Sequence, residues 1–117
     1  MRNLLAMSLL FLCSIDVGRC QKMNDQYEKV ILENGKLKVI EYFSNPRGDV
    51  CGLGMHYHAP HLTVALTDAK VQLIMENGES QEVEVPSGAS FWSEAETHSV
   101  INSGTKPTKF ILVFLKK

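Results

Sequence analysis

The histidines are the residues of this sequence whose types and spacing indicate chemistry. His56, His58 and His61 lie close together, and His98 lies far downstream. Because side chains two positions apart on a β-strand point to the same face, a strand through His56 and His58 places both imidazoles side by side. Neutral imidazole suits first-row metal ions, and the sequence leaves the divalent ion open among iron, manganese, zinc, nickel and copper. If the fold brings His98 over the other three, the four histidines form a metal site; the alternative is a polar strand end with surface histidines.

Alternation along a strand predicted over residues 50–58 sorts the neighbours of these histidines onto two faces. One face has Gly52, Gly54, His56 and His58, and the other has Cys51, Leu53, Met55 and Tyr57. The glycines leave space beside the imidazoles. The alternation predicts that Cys51 and Tyr57 point away from the metal, with Cys51 a small buried apolar residue. If no other strand covers the second face, its apolar side chains form an exposed patch and a homodimer interface.

Two carboxylates, Glu94 and Glu96, precede His98 in a predicted polar loop over residues 93–97. They are candidate general bases, or partners that orient His98. The commoner alternative is a solvated acidic loop. A metal ion held by neutral imidazoles supports oxygenation, isomerisation or hydrolysis of a small molecule. Binding of a metal or small ligand without turnover is the second function class, and a metal-free structural domain is the third.

Short runs of β-branched and aromatic residues, separated by turn signals, fill the chain after residue 20. Strands are predicted over residues 29–32, 37–43, 50–58, 61–67, 70–75, 80–85, 89–92, about 98–101 and 109–115. Asn34-Gly35 and Asn77-Gly78 favour the positive φ angles of tight hairpins. The last run is apolar on both faces, which predicts a central strand. The whole pattern predicts an all-β, closed antiparallel fold, of which the jelly roll is typical.

The first twenty residues have the layout of a secretory signal peptide. Arg2 precedes an apolar run over residues 4–15, and a polar exit follows. This run is shorter than the roughly 20 apolar residues that span a bilayer. We therefore expect cleavage of residues 1–20, which leaves one domain over residues 21–117 in a secreted or periplasmic protein without a stable membrane anchor. The alternatives are an N-terminal anchor, a buried helix, or lipidation of Cys20.

Charge and cysteine content limit the partners and the source of stability. The formal net charge is −1 at pH 7, and no basic patch stands out, so nucleic acid is not an expected partner. The chain has three cysteines, of which Cys51 alone lies beyond the predicted signal peptide. The domain therefore has no internal disulfide and depends on burial of apolar surface, which a chain of about a hundred residues can just provide.

Over residues 37–115 the chain resembles the cupin superfamily of small β-barrel proteins. Cupins have a first motif with His-x-His followed by a glutamate, and a second with Pro-x-Gly followed by a histidine, three residues and an asparagine. His56-Tyr57-His58 matches the paired histidines, Pro86-Ser87-Gly88 resembles the turn that opens the second motif, and His98 with Asn102 matches its end. The resemblance implies a double-stranded β-helix with His56, His58 and His98 as metal ligands and a small-molecule ligand or substrate.

The sequence departs from the cupin pattern at several positions. The motif glutamate is missing, and His61 sits one residue early for it. Alignment of the apolar strand that follows places His61 at the glutamate's position, which suggests His61 as a fourth ligand. Asp68 or a neighbour replaces the glycine that closes the first motif. The residues directly before His98 read Glu94-Ala95-Glu96-Thr97 where the family has Pro-x-Gly and two further residues. Because one fold hosts many functions, the resemblance does not choose between an oxygenase, an isomerase and a non-catalytic binding protein.

Overall fold

The computed structural model describes residues 26–117, and the predicted signal peptide over residues 1–20 lies outside the described residues. Within the described part, no helix has the length and apolar character needed to cross a membrane. The described residues form nine strands: β1 Tyr27–Glu33, β2 Leu37–Ser44, β3 His56–His58, β4 His61–Ala65, β5 Ala69–Met75, β6 Ser80–Val85, β7 Ser90–Ser93, β8 Glu96–Asn102 and β9 Thr108–Leu115.

The strands form two antiparallel sheets. One sheet has four strands in the order β3-β8-β5-β6, and the other has five in the order β1-β2-β9-β4-β7. Apolar residues from β2, β4 and β9 of the larger sheet and from β5, β6 and β8 of the smaller sheet form a single buried core. The two sheets therefore pack face to face, and the prediction of an all-β antiparallel fold is confirmed.

Strand β9 shows why the sequence folds in this way. Thr108, Phe110 and Leu112 alternate along it as buried residues, and the side chains between them are half-buried. Apolar side chains on alternate positions bury one face of a strand against the facing sheet. Strand β9 pairs with β2 on one side and β4 on the other. The prediction that this last strand is central is therefore confirmed.

Both hairpin connections fall at the predicted Asn-Gly turns, although of the two glycines only Gly78, with a φ angle of 93°, has the predicted positive φ. Asn34 Oδ1 accepts hydrogen bonds from the backbone N–H groups of Lys36 and Leu37, which closes the first hairpin. The fully buried Asn102 donates from Nδ2 to the carbonyl of Lys106 at 2.9 Å and accepts the N–H of Gly104 at 3.0 Å. Asn102, matched to the second cupin motif, thus supports the loop between β8 and β9.

The predicted strand over residues 50–58 is wrong for residues 50–55. Only His56–His58 is a strand, and the preceding residues form a series of bends. Gly52 has a φ angle of 142° and Gly54 a φ angle of 55°, values that glycine adopts without the steric cost of a side chain. Asp49 Oδ1 accepts the N–H of Gly54 at 3.1 Å. These bends break the alternation on which the facing of Cys51 was predicted.

Candidate metal centre

The pairing of β3 with β8 brings three histidines to one face of the smaller sheet. In this antiparallel pair His98 lies opposite His56, and Glu96 lies opposite His58. Because residues two apart share a face, these three imidazoles and the carboxyl group of Glu96 are neighbours. The ring centroid of His56 lies 4.5 Å from that of His58 and 4.9 Å from that of His98. The predicted convergence of His56, His58 and His98 is therefore observed.

Cys51 joins this group, so the prediction that it points away from the histidines is wrong. Its Sγ atom lies 3.6 Å from Nε2 of His56 and 3.7 Å from Nε2 of His98. One donor atom from each of Cys51, His56, His58 and His98 forms a set in which all atoms lie within 4.8 Å of one another. Tyr57, by contrast, is 66% exposed and points away from the cluster, as predicted.

Two of the spacings among these donors fit a transition-metal ion. Zinc binds thiolate sulfur at about 2.3 Å and imidazole nitrogen at about 2.0–2.1 Å, so the sulfur–nitrogen edge of a tetrahedral site is about 3.6 Å. The two sulfur–nitrogen distances of Cys51, 3.6 Å and 3.7 Å, have this length. Imidazole and thiolate together suit zinc, copper and iron better than magnesium or calcium, which prefer oxygen ligands.

Hydrogen bonds to backbone carbonyls fix the ring orientations. His56 donates from Nδ1 to the carbonyl of Gly54 at 2.8 Å, which leaves Nε2, the nitrogen next to the Cys51 sulfur, with a free lone pair. His58 donates from Nε2 to the carbonyl of Cys51 at 3.0 Å, which leaves Nδ1 free. Metal-bound histidines are usually held by such a bond from the second ring nitrogen.

The Nδ1 atom of His98 is buried and has no hydrogen-bond partner among residues 26–117. Oε1 of Glu96 lies 3.6 Å from this atom, on a side chain that is 27% exposed. A carboxyl group next to the outer nitrogen of a metal-bound histidine orients the ring and raises its basicity. Glu94 differs, because its carboxyl group is exposed and accepts a hydrogen bond from Trp92 Nε1 at 2.9 Å. Glu94 is therefore a solvated acidic residue of the loop, as in the alternative prediction, whereas Glu96 lies in β8 beside the cluster.

Burial favours the uncharged form of His58 and His98. Together with the neighbouring imidazoles, burial lowers the pKa of each of these two rings to about 4. At neutral pH both rings therefore have a lone pair available for a metal. Burial also raises the pKa of the Cys51 thiol to about 12, with Glu96 and Asp49 adding to the effect. A bound cation would reverse this preference, because coordination deprotonates a thiol.

His61 lies beside the cluster but outside its four-donor set. Its ring is buried, with a centroid 5.0 Å from that of His58. Nδ1 of His61 donates to the carbonyl of Ala59 at 2.8 Å, and Nε2 lies 3.8 Å from Oε2 of Glu96. The role of His61 as a metal ligand, in place of the cupin glutamate, stays a prediction.

A cavity of about 200 Å³ lies between the two sheets and opens onto this cluster. Cys51, His61, Glu96 and His98 contribute to its wall, and most of the remaining wall consists of valine, leucine and phenylalanine side chains. His56 and His58 line a separate depression of about 370 Å³, which Cys51 also borders. The cavity between the sheets is called the barrel cavity below. A ligand in it would contact the cluster at Cys51 and His98.

No protein-family model and no curated protein matches this sequence. Solved structures do match. A cupin domain from Bordetella pertussis Tohama I is 26% identical, with a TM-score of 0.70 over 79% of this chain and 94% of that domain. A conserved protein with a double-stranded β-helix domain from Klebsiella pneumoniae is 19% identical, with a TM-score of 0.60 over 78% of this chain and 76% of the other.

A third structure, a candidate mannose-6-phosphate isomerase from Ralstonia eutropha JMP134, is 18% identical, with a TM-score of 0.54 over 86% of this chain and 90% of that one. At this identity the similarity concerns the fold alone. The strand order and these structural matches show that the chain has the double-stranded β-helix fold and is similar to small cupin superfamily proteins.

Proposed function

We propose that this chain binds one divalent transition-metal ion through Cys51, His56, His58 and His98 and presents it to a small molecule in the barrel cavity. The observation that carries the proposal is the mutual distance of the four donors, all within 4.8 Å. The two sulfur–nitrogen distances match the edge of a tetrahedral site, which supports it further. His61, the fourth ligand suggested by the sequence, is the alternative to Cys51.

The residues around the donors support this role. The carbonyl groups of Gly54 and Cys51 hold the rings of His56 and His58 in the tautomers that leave one nitrogen free. Glu96 lies where it can orient His98. When bound, the ion would act as a Lewis acid toward a ligand that enters from the cavity.

The identity of the ion decides between two function classes. Four protein donors complete the tetrahedral sphere of zinc, as in structural zinc sites, and this favours a non-catalytic binding protein. Iron, manganese and nickel accept more than four ligands, which leaves positions for a substrate and favours an oxygenase or isomerase of a small molecule. Because the protein itself supplies four donors, the non-catalytic function is the second candidate.

Metal analysis tests the proposal. The chain is purified without chelator, and its metal content is measured by mass spectrometry beside His56→Ala, His98→Ala and the control Tyr57→Phe, which changes an exposed residue of the same strand. We expect close to one ion per chain in the wild type and the control, and a loss in both histidine variants. A wild type that stays metal-free after reconstitution would overturn the proposal.

We also propose that the protein is secreted or periplasmic, on the basis of the signal-peptide layout of residues 1–20. Small molecules are the proposed partners, and the absence of a basic patch in the sequence speaks against nucleic acid. The proposed secretion is tested by determining the N-terminus of the protein recovered from the culture medium or periplasm. A mature chain that begins near residue 21 is the expected result, and an intact chain retained in the cytoplasm would contradict it.

A further inference from the structure

The barrel cavity selects the class of small molecule that the cluster can meet. We propose that it binds a neutral, mostly apolar molecule of about eight heavy atoms with one hydroxyl group, such as a small phenol or benzylic alcohol. This inference rests on the proposed function, because it names the ligand class of the same site. It follows from the volume, the wall and the hydrogen-bonding groups of the cavity.

The volume sets the size of the ligand. The cavity measures about 200 Å³. An apolar cavity of about 150 Å³ holds one benzene molecule, so this one accommodates roughly eight heavy atoms. A hexose phosphate is about twice that size and does not fit within the barrel.

The wall sets the polarity of the ligand. Leu112 and Phe110 from one sheet face Val71 and Val85 from the other, and all four are buried. Among residues 26–117, no lysine or arginine lines the cavity, and Glu96 is its one acidic residue. An anionic head group would lose its hydration without gaining a cationic partner from the wall. The wall therefore favours a neutral molecule whose body is apolar.

The polar end of the cavity sets the head group. Because Nδ1 of His61 donates to the carbonyl of Ala59, its Nε2 is a hydrogen-bond acceptor in the neutral ring. This nitrogen lies 3.8 Å from Oε2 of Glu96, too far for a direct hydrogen bond. A donor placed between these two groups would satisfy an acceptor that the protein leaves open, and a hydroxyl group is the neutral donor of suitable size. Cys51 and His98 line the same cavity, so this hydroxyl would lie next to the metal donors.

Phe91 and Val83 indicate where a ligand can enter. Phe91 lines the cavity and is also 45% exposed, so this side chain stands between the cavity and solvent. Val83 is partly buried and lies on β6, an edge strand of the smaller sheet, while Phe91 lies on β7, an edge strand of the larger one. The space between these two edges is the expected entrance.

A binding experiment with four probes tests the inference. Methyl-labelled full-length chain is titrated with benzyl alcohol, benzoate, benzylamine and mannose 6-phosphate, with and without added metal, and the methyl signals of the valines and leucines are followed by NMR. Benzoate and benzylamine keep the ring of benzyl alcohol and change only the charge of the head group. We expect benzyl alcohol to shift the signals of Val71, Val85 and Leu112 in a saturable manner, and the charged probes to bind at least about ten-fold more weakly.

Two variants locate the binding. Val83→Phe places a ring in the wall, whereas Val64→Phe makes the same change on β4 at a half-buried position that does not line the cavity and follows the cavity-lining Thr63. We expect Val83→Phe to abolish binding of benzyl alcohol and Val64→Phe to preserve it. The map of shifted methyl groups in the wild type gives the location even if a variant does not fold.

The outcomes separate this inference from the proposed function. Benzyl alcohol that fails to shift the cavity methyls, or benzoate, benzylamine or mannose 6-phosphate that binds as well or better, would overturn the ligand class even in a chain that carries one metal ion. Selective binding of benzyl alcohol by a chain that takes up no metal would support the ligand class and overturn the metal site.

Discussion

The Sγ atom of Cys51 lies 3.6 Å from Nε2 of His56, and both atoms belong to a set of four donors within 4.8 Å of one another. The bends at Gly52 and Gly54 bring the sulfur to this position. Gly52 is also crowded, because a Cβ atom there would meet the His56 ring at 3.1 Å. The local backbone therefore accommodates both the cysteine and the imidazole.

Replacement of the sulfur should weaken metal binding. In Cys51→Ser the donor becomes a hydroxyl group of similar size, and we expect the affinity for zinc or cobalt to fall by at least about ten-fold because thiolate is the stronger ligand. Cobalt-loaded wild type should show a thiolate-to-cobalt charge-transfer band in the near ultraviolet, and the variant should lack it. An unchanged spectrum and affinity in Cys51→Ser would exclude the cysteine as a ligand.

His61 provides the matching comparison. Its side chain lies outside the four-donor set, so we expect His61→Gln to retain close to one metal ion per chain, whereas His58→Gln loses it. The metal content of both variants is measured after dialysis. If His61→Gln loses the metal as fully as His58→Gln, the four-histidine site suggested by the sequence is the right one.

Glu96 should act on the metal through His98. Its Oε1 atom lies 3.6 Å from the unpartnered Nδ1 of His98, and loss of such an outer partner typically lowers metal affinity 10- to 100-fold. We expect roughly a ten-fold loss in Glu96→Gln, measured by competition with a chelator of known affinity. Glu94→Gln, an exposed control, should leave the affinity unchanged. Equal affinities in the two variants would show that Glu96 does not orient the ring.

The metal-free chain should lose stability in mild acid. The pKa values of His58 and His98 are about 4 in the folded chain, whereas an unfolded histidine titrates near 6.5. Between these values the unfolded chain binds more protons, so the free energy of unfolding decreases as the pH falls from about 6.5 toward 4. We expect a loss on the order of 2 kcal/mol from each imidazole, measured by urea unfolding of chelator-treated protein at pH 7 and pH 4.5.

The histidine variants test the origin of this pH dependence. His98→Gln removes one of the two titrating groups, so its urea midpoint should change less between the two pH values than that of the wild type. A wild type whose midpoint is the same at both pH values would show that the two imidazoles are not held neutral by burial.

The exposed apolar residues near the cluster lead to a prediction about assembly. Leu53, Met55 and Tyr57 are 83%, 47% and 66% exposed, so three of the four side chains of the predicted apolar face are uncovered among the described residues, whereas Cys51 is buried. We expect a homodimer in light scattering, and a shift toward monomer in Leu53→Asp, because a buried charge at an interface is costly. A wild type that is monomeric at high micromolar concentration would contradict this prediction.

The sequence by itself determined most of the fold. Alternating β-branched and aromatic runs, with Asn-Gly and Pro-Ser-Gly turns between them, predict strands close to those observed, because alternation and turn chemistry are local properties of the chain. The sequence also placed His56 and His58 on one face, since their spacing of two needs only a strand. The motif around His98 correctly indicated that this residue joins them.

Only the tertiary structure decided the composition of the centre. Two glycines with positive φ angles turn Cys51 inward, and the register of β8 against β3 brings Glu96 beside His98 and His61. Neither feature follows from local periodicity, because a backbone bend and a strand register depend on contacts between distant segments. The cavity has the same origin, since its wall combines side chains from both sheets that meet only when the barrel closes.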